Sequence, residues 1–343
     1  MEVLVATNPN GKNPYVDLIF NEINKDEGIN IVLSVDSFWE SSLIYDIVHI
    51  QWPEALFYWK PITSDMFKRF QERIEELKGA GTKIFCTRHN EYAHNELSYQ
   101  KLYDYIYIKA DSVVHLGDYS RKKLGRKNRF DVVIPHPLYQ NLKSIVPLEP
   151  DYKESPDQTL LSVGELRHFP EFMLMVKPFL FRSSSVKGAR LVLCNYLSLF
   201  ERKHSFFKRK KASRLIHSVL SFFFRPFNIV LMRGSLSDKD LVGLLSESHI
   251  LLVPRERNLN SGLIFLGVTF GLKLIAPDVG NITEYMKEAK QRLFKSEPSF
   301  KDAIKKALKD ETPDYNGLQE KLSPDSIAKS HIDLYQKIFE DMI

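Results

Sequence analysis

Residues 87–96, TRHNEYAHNE, bring His89, Asn90 and His94 into ten positions, directly after KIFC (83–86), which has the composition of a buried strand end. Two histidines and an amide at such a place fit three chemistries. They can bind a metal, act as a neutral base or hydrogen-bond donor poised near pH 7, or line a polar loop. A zinc site needs a third ligand and tight spacing. His115 and His136 follow other strands, but no HxxxH-type helical pair is present, so no metal is expected. A second aromatic stretch, HIQWPEALFYW (49–59), follows another apolar run; its Trp52, Phe57, Tyr58 and Trp59 suit either a core or a stacking surface for a sugar ring.

Three loops in the second half carry anion chemistry. NLNSGLIFLGVTFG (258–271) follows the run HILLVP and the charged Arg255, Glu256 and Arg257. Ser261 is a good helix N-cap and Gly262 permits close backbone approach, so the helix start with its free N–H groups, beside Arg255, fits a diphosphate. An ordinary capped helix with surface arginines is the simpler alternative. In SVGELRHFPEF (162–172), Arg167 is a candidate phosphate partner, because guanidinium binds phosphate oxygens in bidentate fashion. In APDVGNITEYM (276–286), Gly280 permits a tight turn, and Asn281, Thr283 and Glu284 can cap the next helix or bond a ligand.

The elements that must position these loops follow from short β-branched and aliphatic runs. EVLVA (2–6), NIVLSV (30–35), DIVHI (46–50), KIFC, SVVHL (112–116) and DVVIP (131–135) alternate with helix-like stretches such as SDMFKRFQERIEELKGAG. In that stretch Met66, Phe70, Ile74 and Leu77 fall at helical spacing and Gly79 and Gly81 mark a stop. Near-continuous apolar strands alternating with helices predict parallel sheets covered on both faces. A proline-rich interruption, VPLEPDYKESPDQ (146–158), reads as a linker. The pattern then restarts with TLLSVG (159–164), ARLVLC (189–194), FNIVLM (227–232), HILLVP (249–254) and LKLIAP (272–277). The predicted architecture is α/β, with two Rossmann-like parallel-sheet domains, 1–150 and 151–320, facing a central cleft. A C-terminal helix, 321–343, is expected to cross back to the N-terminal domain. Ligands of open α/β sheets bind at the carboxyl ends of the strands, and every polar motif above follows a strand.

Bulk properties agree. The 343 residues suffice for two cores, and 43% hydrophobic with 27% charged residues is a globular, ordered composition. Cys86 and Cys194 sit in separate apolar runs with no disulfide framework or metal spacing, which points to a reducing compartment. The opening MEVLVATNPNG reads as a first strand and not as a signal peptide, and no run approaches the length of a membrane span. A dinucleotide-binding enzyme would need GxGxxG after the first strand, and VATNPNGKNPY has none.

Taken in order, DIVHIQWPE, TRHNEYAH, ADSVVHLGDYSRKKL, VVIPHPLY, LLSVGELRHF and LLVPRERNLNSGLIFLGVTFGLKLIAPDVGNITE resemble the GT-B-fold, nucleotide-sugar-dependent glycosyltransferases, in particular the family-four-like group of bacterial polysaccharide clusters. The resemblance spans about 45–285. It implies transfer of a sugar from a nucleoside-diphosphate sugar to a saccharide or lipid-linked saccharide acceptor in surface polysaccharide synthesis. No metal or other cofactor is implied. It implies donor contacts from Arg167, Arg255, Asn260, Ser261, Gly262 and Glu284. Acceptor contacts are implied for Asn13, Trp52, Asn90 and His94, with His89 as the cleft histidine that contacts the sugar or acts as base. Where many relatives carry two glutamates this chain has Asn258 and Leu266, Glu165 replaces an arginine, and TNPNGKNPY lacks a double glycine. These departures leave a second reading, a non-catalytic or degenerate sugar-binding protein on the same fold.

The net charge of +5 is concentrated in one place. Arg202 to Arg225 contains eight Lys or Arg and no acid, interleaved with Phe206, Phe207, Phe222, Phe223 and Phe224. Leu215, Val219 and Phe223, with Ile216, Leu220 and Phe224, repeat at i, i+4, i+8. This is a basic amphipathic helix whose expected partner is an anionic membrane surface, so the protein is expected to be cytoplasmic and peripheral on the inner face of the cell membrane. The alternative is a domain helix whose stripe packs inward. No stacking signature of an RNA-binding module is present, and no nucleic-acid partner is expected.

Overall fold

The computed structural model describes all residues except 9–13, 41, 43, 94–96, 127–129, 148–156, 167, 197–209, 235, 257 and 341–343; within helices the side chains of 97, 98, 210–213 and 340 are also left aside. Two compact units result. The first comprises Met1–Leu138, Asn258–Asn260 and Glu320–Ile343, the second Tyr139–Arg257 and Ser261–Gln319.

The first unit is built on β1 (Glu2–Val5), β2 (Asn30–Leu33), β3 (Ile47–Ile50), β4 (Lys83–Arg88), β5 (Ser112–His115) and β6 (Val132–Val133). All pairs are parallel and the order is β2-β1-β3-β4-β5-β6. Every residue of β3 and β5 is buried, which is why these strands read as continuous apolar runs and not as alternation. The crossovers are α1 (Pro14–Ile23), α2 (Val35–Glu40), α3 (Ser64–Gly79), α4 (Leu97–Lys109) and α5 (Asp118–Leu124). In α3 the Thr63 hydroxyl caps the helix by accepting from the Met66 N–H, Phe70, Ile74 and Leu77 are buried, and Gly81 at φ +92° lets the chain turn out.

The second unit carries β7 (Gln158–Ser162), β8 (Ala189–Leu193), β9 (Ile229–Leu231), β10 (Ile250–Leu252), β11 (Lys273–Pro277) and β12 (Arg292–Phe294), again all parallel, in the order β12-β11-β10-β7-β8-β9. Its helices are α6 (Phe169–Leu180), α7 (Lys210–Phe224), α8 (Asp238–Ser246), α9 (Gly262–Thr269), α10 (Ile282–Glu288), α11 (Glu297–Ala307) and, at its end, α12 (Asn316–Lys321). Gly267 lets α9 lie hard against the sheet, since a Cβ there would collide with the Leu274 side chain. The last helix, α13 (Pro324–Glu340), belongs to the first unit and packs on α1.

Cys86 and Cys194 are both core residues. Burial pushes each thiol up to about 12, so both are inert at neutral pH. No helix of the described residues is long and apolar enough to cross a membrane.

Candidate functional site

Strand order fixes where each unit can hold a ligand. In the first sheet the chain leaves β1 towards β2 on one side and continues from β3 on the other. In the second it leaves β7 towards β8 and β9, and continues from β10 towards β11 and β12. At such a reversal the two neighbouring loops leave to opposite faces and open a crevice at the strands' carboxyl ends. The candidate site of the first unit is therefore at β1 and β3, and that of the second at β7 and β10.

In the first unit these loops converge on His89. Its ring stacks on Trp52, with centroids 4.2 Å apart and planes 20° off parallel. Tyr15, from the first turn of α1, meets the imidazole edge-on at 4.9 Å and His136 at 4.8 Å. Gln51, the residue after β3, places Oε1 3.0 Å from His89 Nε2. Asn260 belongs to this unit, and its Nδ2 donates to the His89 carbonyl at 2.7 Å. With the Gln51 side-chain amide oxygen accepting, Nε2 carries the ring proton. Burial raises the Tyr15 hydroxyl, against the opposing effect of its bond to Thr87, and so keeps it a neutral donor. Burial drives His136 down to about 4, so it is a neutral imidazole at pH 7, with Nδ1 2.6 Å from the Pro137 carbonyl. The set is an indole, a phenol and two imidazoles; Tyr15, Trp52 and His136 are buried, and the partly exposed His89 is the member that can meet a ligand.

The other first-unit residues separate into roles. Asn90 is hydrogen-bonded to Tyr103, whose hydroxyl also donates to Glu54 Oε1 at 2.9 Å. Glu54, fully buried in the 3₁₀ turn Pro53–Phe57, has no sequence signal beyond its place after a strand. The aromatic run splits: Trp52 joins His89, Phe57 enters the core against Trp39 and Phe70, and Tyr58 and Trp59 remain half exposed. Asn13 and His94 lie outside the described residues. For Gln51 and His136 the only sequence signal is a place after a strand, and Tyr15, an aromatic on an amphipathic helix, reads as core. Among the described residues no group of three or more His, Cys, Asp or Glu is placed to hold a metal.

In the second unit a cavity of about 260 Å³ opens at the carboxyl ends of β7 and β10, lined by His168, Pro170, Glu171, Leu174, Pro254 and Glu256. His168 and Glu171 also form the capping box that starts α6. Arg255 Nη2 donates to the Glu165 carbonyl at 2.6 Å and so ties the β10 loop to the β7 loop. Gly164 permits that approach to α9, because a Cβ there would stand 3.0 Å from the Leu263 side chain. Ser261 occupies the N-cap position of α9, as its sequence context predicts, yet its hydroxyl makes no capping bond. The first N–H groups of a helix have no intrahelical partner, and here they lie in chain continuity with the β10 loop that carries Arg255. Glu284 falls in the first turn of α10 and is half buried. Thr283 donates to Asp278 at 2.7 Å, which with Lys295 holds that carboxyl below its usual range. Arg167 lies outside the described residues.

No family model and no curated protein matches the sequence. Solved structures do match. Sucrose-phosphate synthase from Thermosynechococcus elongatus aligns with a TM-score of 0.68 at 15% identity, over 99% of each chain. The fold is that of the GT-B glycosyltransferases. An alpha,alpha-trehalose-phosphate synthase (UDP-forming) from Burkholderia xenovorans, in complex with glucose-6-phosphate, aligns with a TM-score of 0.59 at 9% identity, over 98% of this chain and 100% of that one. The catalytic domain of starch synthase IV from Arabidopsis thaliana bound to ADP and acarbose aligns with a TM-score of 0.59 at 10% identity, over 98% of both chains. At such identities the likeness is one of fold. In this GT-B fold the two switch points, one lined by aromatic and imidazole rings and one by the cavity at the ends of β7 and β10, are the candidate sites.

Proposed function

We propose that the protein is a glycosyltransferase that moves a sugar from a nucleoside-diphosphate sugar to a saccharide or lipid-linked saccharide acceptor in surface polysaccharide synthesis. The observation that carries the reading is the cavity at the β7/β10 switch point with Arg255 and the start of α9 beside the same strand ends. The second unit binds the nucleotide half of the donor. The carboxylates of Glu171 and Glu256 accept from ribose hydroxyls, and Arg255 with the α9 N–H groups stabilises charge building on the leaving diphosphate. The first unit binds the acceptor at His89, which the buried rings of Trp52 and Tyr15 hold in place. When configuration inverts, His89 takes the acceptor hydroxyl proton; when it is retained, the same ring orients the sugar. Helix-terminal amides and guanidinium do the work a metal does elsewhere, so no metal or other cofactor is required. A lipid-linked acceptor places the protein in the cytoplasm on the inner face of the cell membrane.

Thermal melting with a panel of nucleoside diphosphates tests the donor site. UDP, the product of the UDP-forming trehalose-phosphate synthase, and ADP, bound to the starch synthase, are the first to try. A ligand at a hundredfold excess over its dissociation constant stabilises by about 3 kcal/mol, so the matching nucleotide raises the melting temperature by several degrees. The outcome that defeats the reading is a panel with no shift and no turnover of any nucleotide sugar. Asn258 and Leu266, where glutamates would serve the donor, favour the non-catalytic sugar-binding alternative. That alternative predicts a nucleotide or saccharide shift without turnover.

A further inference from the structure

The apolar repeat of α7 divides into two stripes with different fates. Ile216 and Leu220 pack against the core of the second unit, and Phe224 is buried there with its ring edge-on to Phe172 at 5.9 Å. On the same side His217 Nδ1 lies 2.7 Å from the Tyr196 hydroxyl. The inward face is thereby satisfied. One residue earlier in each turn the side chains point out: Leu215 is 67% exposed, Val219 59%, Phe222 84% and Phe223 59%. Their spacing, i, i+4, i+7, i+8, makes one continuous strip on the solvent side of the helix. Arg214 and Arg225 are exposed at its two ends. From Lys210 to Arg225 the sequence has four Lys or Arg and no acid. Large side chains held in water cost free energy that the fold does not recover.

We propose that this outward face of α7 docks on an anionic lipid bilayer, with Leu215, Val219, Phe222 and Phe223 entering the interface and Arg214 and Arg225 meeting headgroup phosphates. Charge decides among occupants. A second copy of the same face would bring like charges together. Nucleic acid would satisfy the arginines but give Leu215 and Val219 nothing to bury against. An acidic bilayer offers phosphate at the level of the arginines and hydrocarbon just below it, which is the arrangement of an interfacial helix. The inference gives the membrane reading its contact residues and does not rest on the catalytic one.

The test uses the full chain and vesicles of phosphatidylcholine with and without phosphatidylserine. Co-sedimentation is expected only with the acidic lipid and falls as salt rises. Each basic side chain near an acidic surface is worth roughly fivefold in binding, so R214E combined with R225E lowers the partition by more than tenfold. Val219→Ser combined with Phe222→Ser gives a loss of similar size. The substituted side chains are exposed, and all variants keep the wild-type melting temperature and any nucleotide-induced shift, which separates a membrane failure from a donor-site failure. Wild-type protein that ignores acidic lipid, or variants that sediment like wild type, overturns the proposal. So does a dimer in analytical ultracentrifugation that Phe222→Ser dissolves, since the strip would then belong to a second copy.

Discussion

Alanine in place of His89 is expected to reduce transfer to the acceptor by about 10²- to 10⁴-fold, the usual worth of a positioned general base, while the nucleotide-induced rise in melting temperature stays intact. The ring is fixed on every side the structure shows. Trp52 covers one face, Tyr15 meets its edge, and Gln51 Oε1 accepts a hydrogen bond from Nε2. The backbone carbonyl of the same residue is held by Asn260. A ring held in this way keeps one orientation, and pre-organisation of this kind is what a positioned base contributes to a rate. The argument extends to Gln51. Gln51→Leu removes the hydrogen-bond acceptor of Nε2, so it should lower kcat by about tenfold and leave KM nearly unchanged, and Trp52→Leu, which removes the ring stacked on His89, should lower kcat in the same way. Steady-state kinetics with the donor identified by melting decides the matter. His89→Ala with wild-type kcat would remove the base assignment and leave the fold and the donor site standing.

The sheets were legible from the sequence because parallel strands buried on both faces leave continuous apolar runs. DIVHI became β3 and HILLVP became β10 with little ambiguity. The strand β12, Arg292–Phe294, escaped because three residues opening on an arginine at a sheet edge carry no such run. The candidate site was half legible. His89 and Trp52 follow strands directly, and that rule alone places them. Tyr15 was invisible because its apolar neighbours on α1, Val16 and Ile19, give it the signature of a core residue. Asn260 reads as a donor-loop residue, yet it bonds to His89, 171 positions away in sequence, and no local pattern encodes such a contact. In α7 both apolar stripes have helical spacing, so periodicity says that a face exists but not which stripe the protein covers.

Acidification from pH 7 to pH 4 is expected to destabilise the first unit by several kcal/mol, through histidines that lie outside the proposed chemistry as well as beside it. His331, on α13, is fully buried among Phe20, His49 and Tyr335, and neither ring nitrogen has a hydrogen-bond partner among the described residues. Burial lowers it to about 3. His49 is held between the Tyr335 hydroxyl at 2.6 Å and Thr87 Oγ1 at 2.8 Å, and burial, with His331 and His89 nearby, drives it well below its usual value. His136 falls to about 4 for the same leading reason. All three are neutral when folded and titrate near 6.5 when unfolded. Between pH 6.5 and pH 4 the unfolded chain therefore binds more protons, and stability falls as pH falls. For His331 and His136 the interval from pH 6.5 to pH 4 is worth about 3 kcal/mol each, and His49 adds a loss of the same sign. Set against a typical total of about 5–15 kcal/mol, that is enough to bring unfolding within reach of mild acid. The Asp131 carboxyl, held low by His115 and Arg126 against the cost of burial, adds a loss of the same sign at still lower pH. Calorimetry across this range should show the melting temperature dropping steadily below pH 6.5. His331→Phe, which keeps an aromatic ring among aromatic neighbours and cannot take a proton, should flatten that slope. If the variant's melting temperature fell with pH as steeply as the wild type's, the buried imidazole on α13 would not be the source of the acid sensitivity.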